Sequence, residues 1–407
     1  MNKNILFISG SVGLGHVVRD IEIAKELRNQ IPGSRITWLA SEPACSFLFA
    51  NGETLHRKIN QWAGETEMLE NLSKTGTQKE NLFNADLIKF FFRSRERLSN
   101  NLKLFKEILE SESYDLVIGD EIYEINIAIV QKKITIKPTL LMIYDFVGAD
   151  VMTGNLFEKL IAYRLNYIWV KGAKTIPNKI MTKIFIGISD DVPDRKFGFM
   201  LPKRRELVKN IYHFVGYILQ FDPDQYKNKK EIRKKLGLDS GPLIICSVGG
   251  TSIGLPLLEL CCKAFPFVKT KIPEIKMLLV AGPRISADSL DVPDGVIVKE
   301  YLPCQYEYFA SADLAIVQAG MTTTIELVAL QKPFIYFPIE GHFEQQLHVT
   351  PRLKRLNAGI EMKYSQTTPE SLAEKILSNI GTQVNYPLIP LRGAQNTVNI
   401  IKQIFQN

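Results

Sequence analysis

Three short segments carry residue types whose spacing could do chemistry. The first is Gly10-Ser-Val-Gly13-Leu-Gly15-His16, a glycine-rich turn running straight into a helical pattern. An imidazole titrates near physiological pH, and a helix amino end disfavours its protonation. His16 is therefore a candidate neutral proton acceptor, with a capping or packing role as the alternative. The second is Val248-Gly249-Gly250-Thr251-Ser252, whose backbone amides could line a phosphate site. The third is Asp313-Leu-Ala-Ile-Val-Gln-Ala-Gly320-Met-Thr-Thr-Thr-Ile-Glu326, a strand, a glycine turn and hydroxyls leading a helix. The first-turn amides from Met321 on, with Thr322, Thr323 and Thr324, point at one spot that suits a diphosphate. Glu326, about one and a half turns along, lies near the face of Thr322 and Thr323 and could clamp the two adjacent hydroxyls of a ribose. Thr323-x-x-Glu326 also fits a capping box, which would leave Glu326 structural.

These segments need strands and helices to hold them. Residues 4–9, 35–40, 115–119, 139–144 and 183–188 read as strands, separated by stretches of helical period. The first helix is the clearest, with Val17, Ile21, Ala24, Leu27 and Ile31 recurring at steps of three and four. The rhythm restarts at 242–248 and continues through 275–280, 295–299, 313–317 and 333–337. Alternation of this kind predicts α/β architecture with two parallel sheets. The polar, proline-containing stretch after Gly216 predicts a boundary near residue 218. The expected domains are 1–217, which would bind the acceptor, and 218–390, which would bind the donor. A last helical pattern over 391–407 is expected to pack back on the first domain. Ligands of such sheets sit at the carboxyl ends of the strands, here expected to face an interdomain cleft.

Composition narrows the function classes. The 407-residue chain is 45% hydrophobic and 23% charged, within the globular range. No stretch approaches the roughly 20 apolar residues of a membrane span. The first apolar run, Ile5–Ile8, is too short for a secretory signal. Five cysteines without C-x-x-C pairs or zinc spacing point to a reducing, cytoplasmic setting and no structural metal. The net charge of +7 is spread out, so a nucleic-acid partner is not expected. Residues 87–109 combine a face of Leu87, Phe91, Leu98, Leu102, Phe105 and Leu109 with flanking Lys and Arg. That reads either as a helix covering the first sheet or as a peripheral contact with the inner membrane face.

Further residues make the pattern specific. After Gly320-Met-Thr-Thr323-x-x-Glu326 come Lys332-Pro333-Phe-Ile-Tyr-Phe-Pro338, then Glu344-Gln345-Gln346, then Asn357-Ala358-Gly359. Together with Gly13-x-Gly15-His16 they resemble the GT-B glycosyltransferases of family 28 and the related UDP-glycosyltransferases. The resemblance is strong over about 243–362 and confined to 5–30 and 115–121 in the first half. It implies a GT-B fold of two Rossmann-like parallel-sheet domains facing an interdomain cleft. It also implies His16 as catalytic base and Asp120, at the end of Tyr114-Asp-Leu-Val-Ile-Gly-Asp120, as the carboxylate that orients it. Gly320 and Thr323 would hold the diphosphate, Glu326 the ribose, and Glu344 with Gln345 or Gln346 the sugar hydroxyls; Gly15, Gly249, Thr251, Met321 and Thr322 complete the expected donor site. Two departures stand out: Val317-Gln318-Ala319 replaces the His-Cys of the plant-type motif, and Glu344-Gln345 replaces its final Asp-Gln.

The expected reaction is transfer of a hexose from a nucleotide-diphosphate sugar, with UDP the expected nucleotide, to an acceptor hydroxyl. A single displacement would invert the anomeric configuration. Fixed amide dipoles in place of a divalent ion imply no metal and no cofactor. Asp222-Pro-Asp224 resembles a D-x-D metal motif but sits in the linker. The acceptor, whether lipid-linked saccharide, glycan or small aglycone, has no readable motif. Two alternatives share the architecture, a nucleotide-sugar epimerase and a non-catalytic nucleotide-sugar-binding subunit. A dinucleotide oxidoreductase fits less well, since neither glycine turn has the full fingerprint.

Overall fold

The structure is a computed structural model and describes residues 2–10, 14–64, 87–152, 155–249, 252–282 and 284–406, without the side chains of 87–95 and 252. It falls into two compact units. One takes the described residues up to Gln220 together with Pro390 onward, and the other takes Phe221–Ile389.

The first unit is built on six parallel strands: β1 (Asn4–Ile8), β2 (Arg35–Leu39), β3 (Leu116–Asp120), β4 (Thr139–Tyr144), β5 (Met181–Ile186) and β6 (His213–Gly216). They lie in the order β2-β1-β3-β4-β5-β6. Ile5 to Ile8 and Leu116 to Ile118 are fully buried, as expected for central parallel strands covered on both faces. One face carries the helices Leu87–Ser111, Tyr123–Val130 and Leu156–Thr175 over a core that includes Phe105, Ile125 and Val170. The helix Gly15–Gln30 packs against the helix Gly393–Gln406. The latter is anchored by Tyr217 N donating to Pro390 O (2.7 Å) and Asn396 Nδ2 donating to Val215 O (2.9 Å). Gly393 is required there, because a Cβ would come 2.7 Å from the Tyr217 carbonyl oxygen.

The second unit repeats the plan with β7 (Leu243–Ser247), β8 (Lys276–Val280), β9 (Val296–Lys299), β10 (Leu314–Gln318), β11 (Phe334–Phe337) and β12 (Ile360–Glu361), in the order β12-β11-β10-β7-β8-β9. Apolar layers cover both faces, one around Phe265 and Leu258, the other around Phe309 and Leu353.

Sequence periodicity locates ten of these strands to within about two residues. It misses β6, whose His213-Phe-Val-Gly216 is too short and polar at its start to stand out, and β12, which has two residues. In each sheet the chain winds outward in both directions from one central pair, β1 and β3 or β7 and β10. Such switch points, at the carboxyl ends of the strands, are where open parallel sheets bind their ligands. Both candidate sites fall at these positions.

Candidate functional site

In the first unit β1 ends at Ile8, the chain turns, and His16 enters the helix Gly15–Gln30 in its first turn. The imidazole packs directly on Gly10, where an added Cβ would stand 3.0 Å from the His16 ring and press against it. Ser9 Oγ donates to Asp20 Oδ2 at 2.6 Å and braces the turn against the helix. His16 Nδ1 lies 2.8 Å from Oδ2 of Asp120, the fully buried last residue of β3. The structure thus brings together the two residues expected to form the base and its orienting carboxylate. Asp115 instead accepts from the Asn4 amide at 2.8 Å and secures the start of β1.

Around this pair is a buried charge network that residue patterns alone did not disclose. Arg19, one turn after His16, donates to Asp120 Oδ1 (2.6 Å) and to Asp145 Oδ2 (2.7 Å), the residue following β4. Its NH2 group also lies 2.8 Å from His16 Nδ1. Both nitrogens are donors, so both serve the Asp120 carboxylate. Glu121 holds φ at 55° directly after β3 and places Oε2 3.9 Å from His16 Nε2.

The protonation pattern follows from burial and neighbours. Burial by itself lowers the pKa of His16, but the Asp120 carboxylate in contact with it outweighs burial and Arg19, and the ring is pushed up to about 9. Burial raises Asp120 and Asp145, yet Arg19 and His16 hold both below the usual carboxylate range. Burial, with Asp145 and Asp120 close by, raises Glu121 well above its ordinary value, and its proton is shared towards Asp145. Burial and Asp120 likewise raise the pKa of Asp20 well above its ordinary value, with Arg19 and the Ser9 hydroxyl opposing. His16 and Arg19 thus face Asp120 and Asp145, and the upward shifts of Asp20 and Glu121 reduce the negative charge buried with them. This corrects the expectation of a neutral His16. A helix end offers only a partial charge, and a full carboxylate at 2.8 Å overrides it.

Arg19, Asp20, Glu121 and Asp145 carried one readable signal. Arg19 and Asp20 interrupt a helix whose Val17, Ile21 and Ala24 are buried, and they are themselves buried. Asp145 directly follows β4, two residues beyond Ile143, the partner of Asp120 on β3.

In the second unit the helix Met321–Ala329 starts after β10, with Gly320 as its N-cap at φ −70°, ψ 137°. The N-cap carries no side chain, and an added Cβ at Gly320 would meet nothing within 4 Å. The amides of Met321, Thr322 and Thr323 have no acceptor one turn back within the helix. Because the N-cap is Gly320 and not Thr323, the capping-box alternative for Glu326 does not apply. Glu326 is buried and Thr322 and Thr323 are half-buried. Thr324 departs from expectation: its hydroxyl is buried and donates back to Gly320 O (2.8 Å) and Met321 O (3.0 Å), so it faces its own helix.

The remaining expected donor contacts divide. Gly249 follows β7 with φ 79° and open space around it, while Thr251 and Gly13 lie outside the described residues. Gln345 Oε1 accepts from Ile339 N at 2.8 Å, and Gln346 Nε2 donates to Pro338 O and Ile339 O at 3.3 Å. These two amides shape the loop after β11, and Glu344 is half-buried beside them. Asp222 Oδ1 caps a short turn by accepting from Asp224 N at 3.1 Å, and Asp224 pairs with Lys227 at 2.7 Å.

Among the described residues no helix is long and apolar enough to cross a membrane. In the helix Leu87–Ser111, Phe105 and Ile108 are fully buried and Leu102 and Leu109 pack on the same core. That part of its apolar face covers the sheet.

Comparison with known proteins bears on the fold and on the chain's likeness to glycosyltransferases. Residues 244–384 match the glycosyltransferase family 28 C-terminal domain. An uncharacterized glycosyltransferase of Methanopyrus kandleri is 22% identical over 191 residues, 46% of this chain and 53% of its own. A UDP-N-acetylglucosamine–N-acetylmuramyl-(pentapeptide) pyrophosphoryl-undecaprenol N-acetylglucosamine transferase of Carboxydothermus hydrogenoformans is 26% identical over 140 residues, 33% of this chain and 38% of its own. The chain spans about half or less of the length of these two relatives. The crystal structure of a calicheamicin glycosyltransferase superposes with a TM-score of 0.59 at 16% identity, covering 100% of this chain and 94% of that one. The chain has the GT-B fold, matches the glycosyltransferase family 28 C-terminal domain over residues 244–384, and resembles the family 28 and UDP-glycosyltransferases.

Proposed function

We propose that the protein is an inverting, metal-independent glycosyltransferase that moves a hexose from a nucleotide-diphosphate sugar to an acceptor hydroxyl. The first unit supplies the base and the acceptor site, and the second holds the donor. His16, oriented by Asp120, reacts in the fraction that has released its resting proton to solvent before the acceptor binds, and takes the proton of the attacking hydroxyl as that oxygen bonds to the anomeric carbon. The bond from that carbon to the diphosphate oxygen breaks, and the departing charge is received by the amino end at Gly320. Glu326 clamps the ribose, and Glu344 is left as the reader of the sugar hydroxyls.

The observation that carries this reading is the contact of His16 with Asp120 at the β1/β3 crevice. A subunit that only binds nucleotide sugar has no use for a buried, carboxylate-oriented imidazole. An epimerase shares the architecture, but a match to a transferase domain over 244–384 favours transfer. The Carboxydothermus relative is named for a UDP-sugar donor, which supports UDP here.

The deciding experiment is a thermal-shift screen of UDP-, dTDP- and GDP-sugars, since a ligand that binds only the folded state raises its melting temperature. UDP-sugars should shift the transition selectively, and a radiolabelled sugar should then pass to an acceptor. Equal response to all nucleotides, or none to any, removes the UDP assignment.

A further inference from the structure

Among the described residues of the second unit, three cations gather around one carboxylate at the amino end of the sheet. β10 pairs with β11 so that Ala315 faces Phe334, and with β7 so that Leu314 faces Ile244. Carried back along the same register, Asp313 stands beside Lys332. The amide of Ala315 donates to Pro333 O at 3.1 Å and that of Asp313 to Leu243 O at 2.9 Å, which ties the three strand starts together. β10 is five residues long, so this cluster lies about 17 Å from the strand end that leads to Gly320.

Asp313 has no oxygen to spare. Its Oδ1 accepts from Lys229 Nζ at 2.5 Å, and its Oδ2 accepts from Arg233 Nη2 at 2.7 Å and from the Leu243 amide at 2.8 Å. Arg233 is buried and pinned, with Nε donating to Ser311 O at 2.9 Å and Nη1 to the carbonyls of Ser240 and Gly241 at 3.0 and 2.8 Å. Its charge cannot swing away. Lys229, with 41% of its side chain exposed, is the outer member.

Lys332 is the cation left over. Its backbone is fixed from both sides: Lys332 N donates to Leu327 O at 3.0 Å, and Pro333 follows. Gln331 before it, at φ 51°, is clamped to Tyr386 through Tyr386 N (2.7 Å) and Tyr386 O (3.2 Å). Burial and the repulsion of Lys229 and Arg233, opposed by Asp313 alone, lower the Lys332 ammonium from its ordinary value to about 8. A half-buried lysine beside other cations is an activated amine, and the excess positive charge attracts an anionic reagent.

We propose that Lys332 is a site of acylation by acyl phosphates. The neutral Nζ attacks the carbonyl carbon, and the N–C bond forms as the bond from that carbon to the phosphate oxygen breaks. Phosphate departs with the electron pair towards Lys229, and the surplus amine proton passes to solvent. The product is an uncharged amide, which leaves Asp313 facing two cations instead of three. Neither lysine takes part in the proposed sugar transfer, so the inference is independent of that reading.

The test is treatment of the full chain with acetyl phosphate, then mass spectrometry of peptides cut by a protease that spares lysine. At about pH 7.5 a pKa of about 8 leaves roughly a quarter of the amine neutral, against about one part in a thousand for an ordinary lysine. A less basic, half-buried amine reacts more slowly once neutral, so Lys332 should be acetylated at least roughly tenfold faster than exposed Lys230 and Lys234. Uncharged p-nitrophenyl acetate separates the reactivity of the amine from recognition of the phosphate. The preference for Lys332 should be at least about threefold smaller with the ester. Lys229→Ala should lower the preference with acetyl phosphate by a similar factor. Equal labelling of the three lysines overturns the proposal, as does a preference that is the same for both reagents or that Lys229→Ala leaves unchanged with acetyl phosphate.

Discussion

His16 Nδ1 and Asp120 Oδ2 are 2.8 Å apart across 104 residues of chain, joining the first turn of one helix to the carboxyl end of a neighbouring strand. The contact fixes the ring and leaves Nε2 as the nitrogen that can face a substrate. A positioned base contributes about 10² to 10⁴-fold to a proton transfer. His16→Ala should lower transfer by that factor while the second unit still binds nucleotide, as read by a rate assay and a calorimetric titration of UDP. A normal rate removes His16 from the reaction.

The pH dependence has a definite sign. His16 accepts a proton only when neutral, and its pKa is pushed up to about 9. The rate under kcat/KM conditions should climb with pH through about 9 instead of levelling off near the 6.5 of an unperturbed imidazole. Asp120→Asn removes the charge that raises the ring, so the rising limb should move to lower pH with a reduced plateau. The same shift bears on stability: a folded pKa above the unfolded value stabilises fully below about 6.5 and is lost as pH rises through about 9. Chemical denaturation of the wild type and His16→Ala at both ends of that window measures the loss. A limb that Asp120→Asn leaves in place contradicts the assignment.

The parts of the fold that could be read in advance were those with local causes. Ile5–Ile8 and Leu243–Cys246 announce buried strands because every residue is apolar, and the Gly320 turn announces a helix start. The charge cluster has no local cause. Burial and the neighbouring Asp145 raise the pKa of Glu121, while Arg19 holds Asp145 below the usual carboxylate range, a mutual dependence of residues on three separate elements. Thr324 shows the reverse limit: three consecutive threonines look equivalent in sequence, yet 100° of rotation per residue turns the third into its own helix. Gln345 and Gln346 match a sugar-binding motif, but the amides also serve the backbone around Ile339.

Glu326 is buried on the helix that opens at Gly320. A carboxylate accepting hydrogen bonds from two ribose hydroxyls contributes more than a neutral acceptor would. Glu326→Gln keeps the shape and one acceptor, whereas Glu326→Ala removes both. UDP affinity should fall on the order of tenfold in the first and a hundredfold in the second, about 1.4 and 2.8 kcal/mol. Equal affinity in all three proteins places the ribose elsewhere.

Asp222 and Asp224 are already engaged, one as a turn cap and the other with Lys227. If the leaving diphosphate is neutralised by helix amides, chelation should not matter. Transfer in EDTA should stay within about twofold of the untreated rate. Loss of activity restored by Mn²⁺ would count against fixed dipoles as the only source of positive charge.

The amide contribution itself can be removed without disturbing the helix. Met321 is the first helical residue, a position where proline is tolerated because its N–H has no partner inside the helix. Proline also needs an extended residue before it, and Gly320 already holds φ −70°, ψ 137°. Met321→Pro should therefore keep the helix and, beyond the core contact that Met321→Ala also removes, lose one donor aimed at the diphosphate. Hydrogen bonds to charged groups contribute about 1.5–3 kcal/mol, so UDP affinity should drop at least roughly tenfold. Uridine, which carries no phosphate, should bind both proteins alike. A variant that loses uridine and UDP in the same proportion has a damaged pocket instead of a missing amide, and one that loses neither shows that the phosphates sit away from Gly320.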